Sequence, residues 1–226
     1  MHKDTKYFNY PIHLQHEILT APYEVLNNIF DFAIVKFANE LEGSKEQRIK
    51  YVKKHFALTI GNEQQTWSNG SRLQNHQHPM PYTGIGRELW FDFYKNIDNK
   101  TEFQLAQLAA FQGIKSILGK KTATKTNRSM IVARMFGYAS SKQVENSPLI
   151  EKYSKRYHFD KLINQLEMDW NLKVFSNHIR GMYVSFDLDY KALAELNENG
   201  KRKNKLNELK TKKKQALREC YAKCYG

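Results

Sequence analysis

Residues 127–138, NRSMIVARMFGY, decide how this chain is read. Asn127 is of the type that caps a helix, since its short side chain can accept a hydrogen bond from a backbone N–H two or three residues on. Ser129 to Phe136 then predicts a short helix. Ala133 and Gly137 stand four apart. The small residue lets a second helix cross closely, and the glycine supplies a left-handed backbone at a turn without a Cβ clash. Val132, Phe136 and Tyr138 fill the apolar positions beside them. The stretch predicts two helices meeting at an exposed elbow.

Upstream, Thr101 and Gln104 form a capping-box pattern before Leu105, Leu108, Ala109, Phe111, Ile114, Ile117 and Leu118. A helix apolar on most faces belongs at the centre of a bundle. Gly119 closes it, and a Thr-rich loop carrying Lys120, Lys121 and Lys125 follows. Downstream, Ser140 with Gln143 predicts another cap. Asn146, Ser147 and Pro148 interrupt, with Ser147 as N-cap and Pro148 at a first helical position. A helical stretch to about Trp170 follows, with Phe159, Leu162, Ile163, Leu166 and Trp170 on one face. Lys155, Arg156, His158 and Lys161 surround its first turns. LKVFSNHIRGMYVSFD, residues 172–187, predicts a hairpin of Val174–Phe175 with Met182–Phe186, turned near Arg180 and Gly181.

On these residues the chain resembles the winged helix-turn-helix superfamily, over about residues 101–187 and at superfamily level only. The resemblance implies a DNA-binding unit with a reading helix and a β wing. It asks for an unbroken reading helix directly after the elbow, and Asn146-Ser147-Pro148 departs from that. Either the turn is enlarged or the later helix reads the groove; we favour the later helix. Arg156, Asn164 and Gln165 would then face base edges, with Asn177, His178 and Arg180 at the wing tip. The other reading of residues 172–187 is an ordinary hairpin that closes the domain.

The first hundred residues predict helices without such a motif. Pro22 suits a helix start, with Leu26, Ile29, Phe30, Ala33, Phe37 and Leu41 at helical spacing up to Gly43. Ser44 and Gln47 predict a capping box for a second helix that turns Ile49, Val52 and Phe56 inward. Residues 61–81 are polar and read as an irregular connection. Trp90, Phe91, Phe93 and Tyr94 read as core packing, with base stacking the alternative. The expected fold is mainly α: an N-terminal helical unit (1–60), a connector with the aromatic cluster (61–100), a winged-helix-like domain with one β-hairpin (101–200), and a basic helical tail (201–226).

Charge gives the function class. The net charge of +13 is not spread evenly. Residues 1–112 balance 12 basic against 12 acidic residues, whereas 113–161 hold 11 against 3 and 201–226 hold 10 against 2. Two cationic blocks suit a polyanion, because each phosphate contact releases condensed counterions. Lys120, Lys121, Lys125, Arg128, Lys142, Lys155, Arg156, Lys161 and the tail's Lys201, Arg202 and Lys203 are the expected phosphate contacts. Solvated charge is the alternative for the tail. Its Leu206, Leu209, Leu217 and Tyr221 also allow a partner-binding helix, and the N-terminal helical unit is a second candidate surface for a protein partner.

No chemistry-bearing constellation emerges. Cys220 and Cys224 lack the further ligands of a zinc site, and His76 and His78 have no carboxylate beside them. Glu208-Leu209-Lys210 matches a nuclease fragment by composition alone, without its aspartate. There is no phosphate-binding Gly-rich loop and no assembled triad. No apolar run reaches about 20 residues, and no apolar block follows the N-terminal charges, so neither a membrane span nor a secretory signal is expected. The expectation is a cytoplasmic, non-enzymatic protein without cofactor or metal. It binds double-stranded DNA, or RNA as the alternative, as a transcriptional regulator or a plasmid or phage replication initiator. The competing class is a phage or mobile-element interaction protein whose basic surface engages a protein or ribonucleoprotein.

Overall fold

The computed structural model describes residues 7–57, 60–75, 81–176 and 181–225, with the backbone alone at 203 and 216–225. Among these the chain is mainly helical, with nine α-helices and two small antiparallel sheets. At its centre lies α5 (Glu102–Leu118). Thr101 and Gln104 close the capping box that starts it, and Gly119 ends it with a positive φ of 56°. Leu105, Ala106, Leu108, Ala109, Ala110, Ile114 and Leu118 are all buried along it, as a helix apolar on most faces requires.

The N-terminal part wraps one side of α5. Strand β1 (Tyr7–Pro11) continues into a 3-10 turn (Ile12–Gln15) and then α1 (Pro22–Asn39), α2 (Lys45–Phe56) and α3 (Glu63–Asn75). Strand β2 (Tyr82–Gly86) returns to pair antiparallel with β1, matching Phe8 with Ile85 and Tyr10 with Thr83, four buried residues on one face. Next, α4 (Arg87–Lys95) inserts Trp90 into the core, edge-on to Phe8 and stacked on Phe30, with its indole N–H donated to the Leu26 carbonyl at 3.0 Å. The aromatic cluster is thus packing: Phe30 and Tyr94 both stack on Trp90. One apolar cluster runs from Phe8 to Phe186.

Helix α3 corrects the reading of 61–81 as irregular. Its contact with α1 is made through Gly70, where a Cβ would lie 2.4 Å from the Asp31 carbonyl oxygen and 2.5 Å from Val35 Cγ2. Asn69 supplements it by donating to Asp31 and Asn28. A helix seated by a glycine and amides, with Trp67 and Leu73 its only apolar side chains against the core, leaves little apolar period to read.

The C-terminal part holds β3 (Ala123–Thr126), α6 (Arg128–Met135), α7 (Pro148–Ser154), α8 (Arg156–Asp169), β4 (Lys173–Ser176), β5 (Met182–Ser185) and α9 (Tyr190–Tyr225). The hairpin is one edge of a three-stranded sheet in the order β3-β5-β4, so the Thr-rich segment after α5 is a strand, not a loop. Val184 is buried between Thr124 and Val174 on the face turned to the core.

Two further expectations change. Ser140–Gln143 is a turn, with the Gln143 N–H donated to the Ser140 carbonyl, and no helix starts there. The stretch 148–170 is two helices broken at Lys155, whose ψ of 137° is extended. At 100° per residue a straight helix would centre Ile150 and Tyr153 roughly 180° away from Phe159, Leu162 and Leu166. The break lets both sets face the core. Helix α9 runs through Gly200 into the basic segment without interruption.

Candidate nucleic-acid interface

The glycine-ended helix α6 is built as the sequence implies, but no second helix meets it directly, and its end is covered by another part of the chain. Asn127 caps α6 by accepting from the Met130 N–H at 2.9 Å. After Met135 the Gly137 N–H is donated to the Arg134 carbonyl and the Tyr138 N–H to the Ala133 carbonyl, the paired bonds of a glycine-terminated helix. Gly137 takes φ +81°. The 3-10 turn covers it: a Cβ on Gly137 would sit 3.0 Å from His16 N and 3.3 Å from both His13 Cα and O. Buried Gln15 donates through Nε2 to the carbonyls of Ala109, Arg134 and Met135 at 2.8–3.0 Å. The His16 ring also meets the Phe136 carbonyl at 3.1 Å. This corrects the expectation of an exposed elbow.

The outer side of α8 is exposed in this half. Phe159, Leu162, Ile163 and Leu166 are buried, so Tyr157, Lys161, Asn164 and Met168 recur on the solvent side at spacings of three and four. Tyr157 is 72% and Met168 76% exposed, the two most exposed large apolar side chains among the described residues. Asn164 makes no hydrogen bond within the described chain. The other two expected base readers are engaged: Arg156 pairs with Asp160 at 3.3 Å, and Gln165 donates to Asp169 at 2.8 Å. Tyr157 and Met168 were not singled out in the sequence. A helical projection opposite the Phe159–Leu166 stripe would have found them.

Several cations of the middle block are held by neighbours. Lys155 pairs with Glu151 and Lys152 with Glu102. The Lys152 contact, joined by the hydroxyl of Tyr153, holds the Glu102 carboxyl below its ordinary range. The Lys155 ammonium does the same for Glu151. Burial, reinforced by Glu102, raises Tyr153. Lys161 lies over the Phe103 ring at 5.1 Å, and the half-buried His158 ring sits between Tyr153 and Tyr157. These pairs are exposed and therefore worth little; a phosphate could replace the acid. Lys120, Lys121, Lys125, Arg128 and Lys142 are exposed and form no ion pair among the described residues. Arg128 borders an open cleft of about 790 Å³ between α6 and α7, lined by Ser129, Asn146, Ser147, Glu151 and Ser154.

The two cationic blocks approach each other at the hairpin. Lys125 on β3, Tyr183 on β5 and Phe175 on β4 share the face away from Val184. Helix α9 crosses here: Leu193 is buried at its base, and a Cβ on Gly200 would come within 3.1 Å of the Tyr183 hydroxyl. Lys201 pairs with Glu198 at 2.7 Å, and Arg202 is exposed. Asn177, His178, Arg180, His76 and His78 lie outside the described residues, as do the side chains of Lys203, Cys220 and Cys224. Among the described residues no three His, Cys, Asp or Glu side chains are gathered as for a metal, and no helix is long and apolar enough to cross a membrane. No protein-family model, no curated protein and no solved structure matches the chain.

Proposed function

We propose that the chain is a non-enzymatic nucleic-acid-binding protein of winged-helix-like build. The order α5-β3-α6-α7-α8-β4-β5, a winged-helix order with one extra short helix, and the sheet order β3-β5-β4 support that class. The reading is more specific than the class: a sequence-dependent binder of duplex DNA, of the kind that serves as a cytoplasmic transcriptional regulator or a plasmid or phage replication initiator. Residues 101–200 form its binding unit and 1–100 its support. The carrying observation is the solvent side of α8, where Asn164 stands unpaired between Tyr157 and Met168. An asparagine amide can pair with adenine in the major groove, and an apolar side chain can meet a thymine methyl. The surrounding lysines would set orientation on phosphates.

The test is selection of bound sequences from a random duplex pool. An enriched motif supports the reading. Asn164→Ala should relax selectivity at one position by about 1–3 kcal/mol, or roughly 5- to 150-fold. Reversing the charges of Lys155, Arg156 and Lys161 should abolish a gel shift. No enrichment favours the second reading, an interaction protein. Leu206 and Leu209 support that one, being more than half exposed on the described surface.

A further inference from the structure

Helix α9 has two parts with different relations to the body. Up to Gly200 it packs on the hairpin, through Leu193 and the close approach to Tyr183. From Lys201 to Gln215 every described side chain is exposed, including Leu206 and Leu209 at 53% and 57%. This part adds nothing to the core. It carries Lys201, Arg202, Lys205, Lys210, Lys212, Lys213 and Lys214 against one acid, Glu208. Lys210, Lys212, Lys213 and Lys214 point in different directions around the axis at 100° per residue. Lys213 falls between Leu206 and Leu209 around the axis and Lys210 falls beside Leu206, so charge interrupts the thin apolar side as well. A second copy of the same helix would meet like charge. A polyanion that accepts charge from any side is the complementary surface.

From Lys201 to Tyr225 the helix extends about 37 Å at 1.5 Å per residue, close to one turn of duplex, about 34 Å. Its root is fixed at the hairpin, on the face that carries Lys125.

We infer that α9 beyond Gly200 is an arm that lies along the phosphate backbone of duplex DNA next to the site held by the body. It lengthens the footprint by about one turn on one side and reads no sequence. This rests on the duplex-binding reading above. The arm supplies salt-sensitive affinity, and α8 supplies selection.

The experiment uses the full chain and a full-length variant with Lys205, Lys210, Lys212, Lys213 and Lys214 all changed to Gln. Glutamine keeps helix propensity near that of lysine, and circular dichroism checks the fold. Both are titrated onto duplexes that carry the selected sequence with flanks growing in 5-bp steps on either side. The full chain should tighten at least ~30-fold as one flank reaches about 10 bp, then level off, while the variant gains almost nothing. On the longest duplex the slope of log K against log salt should be shallower in the variant by near 0.9 for each phosphate no longer neutralised, and at most by about 4.5. A full chain indifferent to flank length, or a variant that gains equally, overturns the arm and leaves the reading of α8 standing. Length-dependent binding without any enriched sequence does the reverse. If no duplex binds, both fall.

Discussion

Replacing Gly137 with alanine tests whether the elbow is sealed. Two independent costs are visible. An L-residue forced into a left-handed backbone loses roughly 1–2 kcal/mol, and Gly137 has φ +81°. The new methyl would also stand 3.0–3.3 Å from backbone atoms of His13 and His16, none of which can rotate away. Overpacking of that kind costs roughly 1–3 kcal/mol. Gly137→Ala should therefore destabilise by about 2–5 kcal/mol, a large share of a domain stability of roughly 5–15 kcal/mol. At about 2–4 °C per kcal/mol for this size, the Tm falls by roughly 10 °C. Urea denaturation followed by far-UV circular dichroism measures it, with Gly61→Ala as control. Gly61 has open space around its Cβ position, so that change should be neutral or stabilising by up to about 1 kcal/mol. A Gly137→Ala loss below about 1 kcal/mol would mean that the turn at residues 12–16 does not press on the elbow, and the docking site would have to be reconsidered.

Other outcomes follow from the same contacts. Gln15→Ala should cost about 1–3 kcal/mol in the same denaturation assay, chiefly by orphaning the buried Met135 carbonyl at the end of α6. Gln15→Glu should be worse, because a carboxylate would face those carbonyls. Asp31 is buried, and burial raises its pKa against the lowering bonds from Asn69 and Thr66. A folded-state pKa above the unfolded one means that the folded protein holds this proton more tightly. Its contribution to stability therefore declines as pH rises from the ordinary carboxylate value of about 3.9 upward. Asp31→Asn should flatten the stability profile in that window, and an unchanged profile refutes the assignment. Glu102 carries the opposite sign, since its pKa is lowered mainly by Lys152. Its stabilisation is present above about 4.3 and is lost as pH falls through the lower folded value. Lys152→Met should remove that acid-side loss in a pH-dependent melt.

Local bonding was legible in the sequence because its partners are near in the chain. The capping boxes at Ser44–Gln47 and Thr101–Gln104, the caps at Asn127 and Ser147, and the helix starts at Pro22 and Pro148 all need only neighbouring residues. The burial of α5 followed from composition, since a helix apolar all round has nowhere else to go. Pairing of β1 with β2 joins residues more than 70 apart. Neither strand is long enough to show a period. Seating of α3 on α1 depends on the empty space at Gly70, which a sequence pattern does not record.

The same division applies to the site. Sequence alone determined that positive charge is gathered in two blocks and that a helix ends on a glycine at 137, because both depend on residue type and local backbone. Only the tertiary structure decided that the elbow lies under the turn at residues 12–16, that acids occupy Lys155 and Arg156, and that Asn164 faces solvent. The physical reason is that exposure and ion pairing depend on what the rest of the chain brings alongside. Glu102 and Gln15 reach their partners across 50 to 120 positions of sequence.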